Sequence, residues 1–179
     1  MSGPLVFDLR VLADLPNIGS VDGNYMAAGA SFILEHNHSS ATEDRFVLDD
    51  GADGNAGTIR RVTIDENVRR FRRDLTKATE AGAEAIGLLT VTHVLGRRVV
   101  NRMPTETGAD FLIEPIAPGS TDALERVEFG GIGDGAESTT ARLNRKLRQM
   151  RRYPDEPPGY AVVTNFTTMP VEVAIRTVP

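Results

Sequence analysis

Lys146 stands in the run from Arg142 to Arg152, where every other cation is arginine, and the only other lysine in the 179-residue chain is Lys77. A guanidinium is planar and permanently charged, whereas a lysine ammonium is compact and can be tuned by burial or neighbours. A lysine kept among arginines therefore points to a chemical requirement, although chance alone can also leave one. One reaction that needs an ammonium beside acids is metal-assisted attack on a phosphodiester. Carboxylates hold Mg²⁺, the ion activates water and offsets charge on the phosphate oxygens, and a cation helps to orient or deprotonate that water. Suitable acids are present: Asp110 falls in one expected strand and Glu128 in the next, so neighbouring strands bring both carboxylates within reach of one ion. Glu84, a carboxylate in an otherwise apolar helical stretch, is placed to add a third ligand directly or through water, and Gln149 follows Lys146 by one helical turn.

These side chains need elements to carry them. Residues 65–95 have apolar residues at helical spacing (Val68, Phe71, Leu75, Ala78, Gly82, Ile86, Leu89), with Asp65 placed as the cap and Arg69, Arg70, Arg72 and Arg73 outward. Strands are expected at 97–101, 108–114 and 123–132, with a Pro118-Gly119 turn between the last two. A helix is expected over 137–152, capped near Ser138 or Thr139 and ended by Pro154, Pro157 and Pro158, and a strand over 160–166. Residues 171–178 add a strand at the sheet edge. Upstream, residues 5–12, 30–35, 45–48 and 58–62 read as strands between Gly, Asn and Asp clusters, which predicts an antiparallel N-terminal layer.

From residue 65 the order helix, three strands, helix, strand resembles the core of the PD-(D/E)XK nuclease superfamily. The resembling segments are Thr79 to Ile86, Thr107 to Ile113, Val127 to Ile132 and the Lys146 helix, together spanning roughly residues 65–166. The resemblance implies a restriction-endonuclease-like α/β (α+β) fold with a central mixed sheet flanked by helices. It makes Asp110 and Glu128 metal ligands and Glu84 an auxiliary acid. That superfamily's lysine should stand two positions after the second acid, where this chain has Gly130; some members supply it from the next helix, which is the place of Lys146.

Other patterns in the chain have plainer readings. Gly131-x-Gly133-x-x-Ala136 formally matches a dinucleotide-binding fingerprint, but too few strands and helices follow it, so a connector beside the site is favoured. His36 and His38 fit a metal pair only with a third ligand that is not adjacent, so a polar turn is favoured. Asp49 to Asn55 breaks calcium-loop spacing and reads as a hairpin turn. His93 reads as a packed or partly exposed histidine.

Composition sets the bounds. The chain is 40% hydrophobic with a net charge of −5, which suits one domain and argues against non-specific coating of nucleic acid. It has no cysteine, which excludes disulfides and thiolate chemistry. Without an apolar run long enough for a membrane span or a signal peptide, a soluble, cytoplasmic protein is expected. The expected organisation is a single domain: a β-rich part at 1–64, a nuclease-like core at 65–166 and an edge strand at 167–179. The expected activity is cleavage of DNA by a Mg²⁺- or Mn²⁺-dependent endonuclease of a defence or repair system, working alone, as a homodimer or in a larger assembly. In it Lys146 positions or deprotonates the attacking water, Gln149 helps hold substrate, and Arg142, Arg145, Arg148 and Arg152 contact phosphates. The alternative is a nuclease-fold subunit that has lost its chemistry and serves DNA binding or assembly.

Overall fold

The computed structural model describes residues 4–39, 41–51, 55–71, 74–116 and 124–179. A mixed sheet of eight strands runs through it in the order β1-β3-β2-β8-β7-β6-β5-β4. The strands are β1 (Leu5–Asp8), β2 (Glu43–Asp49), β3 (Asn55–Arg60), β4 (Arg97–Arg102), β5 (Phe111–Pro115), β6 (Glu125–Ile132), β7 (Gly159–Asn165) and β8 (Val171–Val178). Three neighbouring pairs are parallel, β1 with β3, β2 with β8 and β6 with β7; the others are antiparallel.

The helices are α1 (Ser20–Asn37), α2 (Glu66–Phe71), α3 (Leu75–His93) and α4 (Thr139–Met150). Helices α1 and α3 pack against each other through small residues: a Cβ on Gly29 would stand 2.7 Å from the Ala81 methyl. Their apolar residues share one core with Phe7, Phe46, Val127, Phe129 and Val173. Helix α4 joins the parallel strands β6 and β7 and covers the opposite face of the sheet. Its Leu143, Leu147 and Met150 recur every three or four residues and meet Ile132, Ala161, Val163, Ala174 and Val178. Among the described residues no helix is long and apolar enough to cross a membrane.

Several expectations are corrected. Residues 30–35 are not a strand but belong to the second half of α1. A short apolar run fits either element, and here the helix starts ten residues earlier, at Ser20 behind Gly19. The strand at 5–12 stops at Asp8, whose carboxylate accepts the Arg10 N–H at 3.0 Å and caps a 3₁₀ segment, Leu9–Asp14. The N-terminal strands form no separate antiparallel layer; they extend the one sheet, and β1 runs parallel to β3. The last strand is interior, between β2 and β7, which explains why Val171, Val173, Ala174 and Ile175 are all buried on its two faces.

The helix expected over 65–95 is divided. Asp65 caps α2 through the Val68 N–H at 2.8 Å, and a second cap, Asp74, accepts the Lys77 N–H at 3.2 Å and starts α3. Arg72 and Arg73 lie outside the described residues, as do Pro118-Gly119 and Ala123. Ser138 caps α4 as expected. The segment from Asp49 joins β2 to its antiparallel partner β3, and Asp49 is ion-paired with Arg176 at 2.8 Å; residues 52–54 are outside the description.

Candidate active site

Strand β5 begins only at Phe111, paired with Val127 of β6, and continuing that antiparallel register by one residue sets Asp110 opposite Glu128. Side chains of directly opposed residues share one face and nearly touch. The Asp110 N–H donates to Val127 O at 2.9 Å, and its Oδ2 accepts the Phe129 N–H at 2.7 Å. The ladder to β5 covers Glu125 to Val127, so further along β6 is paired with β7 alone. Over that free edge lies a cleft of about 410 Å³ that reaches both layers of helices. Thr79 and Glu84 of α3 line one side, Arg142 and Lys146 of α4 the other, with Asp110 and Gly130 between them.

Strand alternation sends Val127 and Phe129 into the α1–α3 core and Glu128 toward α4. There the Lys146 ammonium donates to Glu128 Oε1, and the Gln149 side-chain amide donates to the same oxygen at 3.0 Å. Arg142, Lys146 and Gln149 follow one another at four- and three-residue steps, so one stripe of α4 faces the cleft. Gly130 is the floor beneath the lysine. A Cβ there would lie 3.1 Å from Lys146 Cε and 3.3 Å from Val163 Cγ2, so the missing side chain leaves the space that the lysine stem crosses.

The two carboxylates have unequal surroundings. Burial, and next the charge of Glu128, push the Asp110 carboxyl up to about 7, while the Phe129 N–H and the Lys146 ammonium pull it partly back. Among the described residues neither Oδ1 of Asp110 nor Oε2 of Glu128 takes part in a hydrogen bond; each acid has one oxygen engaged and one left over. Glu84 differs. Arg102, at the end of β4, holds both of its oxygens, at 3.1 and 2.7 Å, and the guanidinium carbon lies 4.4 Å from the centre of the Phe111 ring. Among the described residues no three carboxylate or imidazole side chains are grouped so as to hold an ion in this conformation. Asp110 and Glu128 fit a hard cation as a pair, because Mg²⁺ is commonly held by one or two carboxylates and keeps several waters.

The four arginines expected as one phosphate-binding stripe are split. Arg142 lines the cleft and is ion-paired with Glu137 at 2.8 Å, and Arg145 reaches the same Glu137 oxygen at 2.9 Å from a more exposed position. Arg148 and Arg152 face solvent.

The glycine run serves packing. Cβ atoms on Gly131 and Gly133 would fall 2.6 Å from Thr79 Cγ2 and 1.9 Å from Thr79 Oγ1, so these glycines let the end of β6 lie against α3. His36 stacks on Phe32, and the His38 side chain is buried, with Nδ1 2.9 Å from Asp44 and Nε2 2.8 Å from Phe166 O. His93 packs beside Phe7. Sequence reading missed Arg102 and Arg126. For Arg126 a signal existed: Arg126 and Glu128 alternate with Val127 and Phe129, which places both charges on one face of a strand. Arg102 gave none, because its partner lies on a helix 18 residues away.

No protein-family model matches this chain, and neither a curated protein nor a solved structure matches it.

Proposed function

We propose that this chain is a metal-dependent nuclease that hydrolyses phosphodiester bonds of DNA on a restriction-endonuclease-like core formed by α3, β4, β5, β6, α4 and β7. The observation that carries this reading is the meeting of Asp110, Glu128 and Lys146, from a strand end, a strand and a helix, at one cleft. Burial first and the neighbouring Glu128 charge second raise the Asp110 carboxyl, and a divalent cation between the two acids would offset both. Asp110 Oδ1 and Glu128 Oε2 would hold Mg²⁺ or Mn²⁺. When bound, the ion supplies Lewis-acid polarisation of the phosphate and a more acidic water.

The remaining steps belong to the chain. Lys146, its stem fixed over Gly130, would orient a water for in-line attack, and its ammonium would stabilise the hydroxide formed as the water's proton passes to solvent. Gln149 keeps Glu128 Oε1 turned toward α4 and away from the ion. Glu84, tied to Arg102, adds negative charge at the rim and reaches the ion through water. Glu80, Glu84 and Asp134 also line the cleft, where they disfavour a bare polyanion and make substrate entry depend on the cation. Arg142, Arg145 and Arg148 on α4 and Arg152 in the turn after it offer phosphate contacts, and a second copy or a larger defence or repair assembly would complete the grip on duplex DNA.

Plasmid and oligonucleotide DNA incubated with the purified protein, with and without Mn²⁺, tests the reading beside Lys146→Ala and Asp110→Ala. Cleavage by the wild type only with metal, reduced by ~10²- to 10⁴-fold in folded variants, is expected. Full cleavage by either variant excludes these roles. DNA binding without any metal-dependent cleavage identifies instead a non-catalytic subunit on the same fold.

A further inference from the structure

We propose that Arg126 is the positioning residue of this site, its guanidinium tying together the three elements that present Asp110, Glu128 and Lys146. Its kinetic consequence rests on the nuclease reading; its structural consequence does not. Arg126 precedes Glu128 by two residues on β6 and so shares its face of the sheet, yet it is only 1% exposed. Nη1 donates to Thr107 O at 3.2 Å, in the turn three residues before Asp110. Nη2 donates to Met150 O at 3.0 Å and Tyr153 O at 3.1 Å, at the end of the helix that carries Lys146 and Gln149. One side chain thus bridges its own strand, the turn before Asp110 and the last turn of α4.

All three partners are main-chain carbonyls. At a helix C-terminus such carbonyls lack intrahelical donors and favour a cation. Among the described residues Nε is buried with no partner, and no carboxylate hydrogen-bonds this guanidinium. A buried guanidinium with no directly bonded carboxylate, only the longer-range charge of Glu156, is a costly way to fill a core, where an apolar side chain of similar volume usually serves stability as well or better. The position therefore answers a demand for alignment. Tyr153 closes the same joint: Gly108, at φ +67°, lies so close to the tyrosine ring that a Cβ would come within 2.6 Å of Cε2. Misplacing reacting groups by about 1 Å from a remote position can cost ~10²-fold in rate, without altering how substrate is bound.

Arg126→Met and Arg126→Lys in the full chain separate alignment from bulk stability. Global stability is read by urea unfolding, local opening by hydrogen exchange, and catalysis by kcat and KM for Mn²⁺-dependent cleavage. In Arg126→Met the amides of Asp110, Phe129 and Tyr153 should exchange at least ~10-fold faster relative to Val162 in β7. Its kcat should fall ~10- to 100-fold with KM within about twofold, and Arg126→Lys should recover part of both losses. Uniform loss of protection across the sheet, or an unchanged kcat in a folded variant, would overturn the proposal. If the methionine variant does not fold, the lysine variant, which lacks the planar fork, is judged by the same criteria. If the wild type does not cleave DNA, the nuclease reading fails while the exchange comparison still decides the role of Arg126.

Discussion

Asp44, near the start of β2, accepts the Arg61 guanidinium at 2.5 and 2.6 Å and lies 2.9 Å from His38 Nδ1, whereas Asp110 accepts one main-chain N–H and faces another carboxylate. Asp44 is buried and Asp110 partly buried. Around Asp44 the network closes on itself: His38 passes on to Phe166 O, and Arg61 also donates to Ser39 O. Both oxygens of the acid are used, so the cluster has no capacity for a ligand. Around Asp110 the surplus is negative, each acid keeps an unused oxygen, and the cluster opens on a cleft. A closed set of charges fixes the fold, while an open set at a cleft is what binding or catalysis requires.

This contrast is broken most severely by removing Asp44. Asp44→Ala leaves the Arg61 side chain, 5% exposed, and His38, 4% exposed, facing each other without the acid between them. Loss of one partner from a buried pair costs about 3–5 kcal/mol, so urea unfolding should shift by that amount. Mn²⁺-dependent cleavage per folded molecule should be unchanged. A loss below about 1 kcal/mol would show that the Asp44 cluster is not the closed network described.

Asp110→Asn should act in the opposite direction. In the folded chain Asp110 takes up its proton near 7, against an ordinary value of 3.8. Below the ordinary value both folded and unfolded forms are protonated, and the acid contributes no difference. As pH rises from there through the folded value, the unfolded form gives up its proton first, so stability falls across that window and stays low above it. Asparagine keeps the acceptor for the Phe129 N–H and removes the repulsion with Glu128. The metal-free variant should therefore melt higher than wild type at pH 8 and at the same temperature near pH 3.5. Mn²⁺ should raise the melting temperature of the wild type more than that of the variant, and a wild type that ignores Mn²⁺ at pH 8 removes the case for the ion.

The site was more legible in the sequence than the frame around it. Glu128, Lys146 and Gln149 could be placed together because each lies on an element with a clear period, and Asp110, one residue before β5, still falls opposite Glu128 in the register of that strand. Glu84 reached the cleft, but its capture by Arg102 depends on a contact between a helix and an edge strand that no local pattern encodes. The N-terminal half failed for another reason. Residues 30–35 hold only one charge, Glu35, and most of them are buried where α1 packs on α3, so a short apolar run carried little periodic information there. The interior place of β8 was likewise invisible locally, since β2 joins it across more than a hundred residues of chain.

The smallest effect expected concerns the arginines, and it sharpens the same distinction between closed and open charge. Arg142 and Arg145 share Glu137 and are partly neutralised before any ligand arrives, whereas Arg148 and Arg152 face water without an acid partner among the described residues. Releasing counterions from DNA requires a cation that is free to meet a phosphate, so the exposed pair should carry most of the salt dependence of binding. Arg148→Ala and Arg152→Ala should each lower the slope of log K against log salt by about 1, measured by fluorescence anisotropy with Ca²⁺ in place of Mn²⁺. Arg145→Ala should change it less, because the variant also frees Glu137 to pair fully with Arg142. Equal slopes for all three variants would mean that DNA approaches α4 from another side, and the path of the substrate would have to be redrawn across α2 and its arginines.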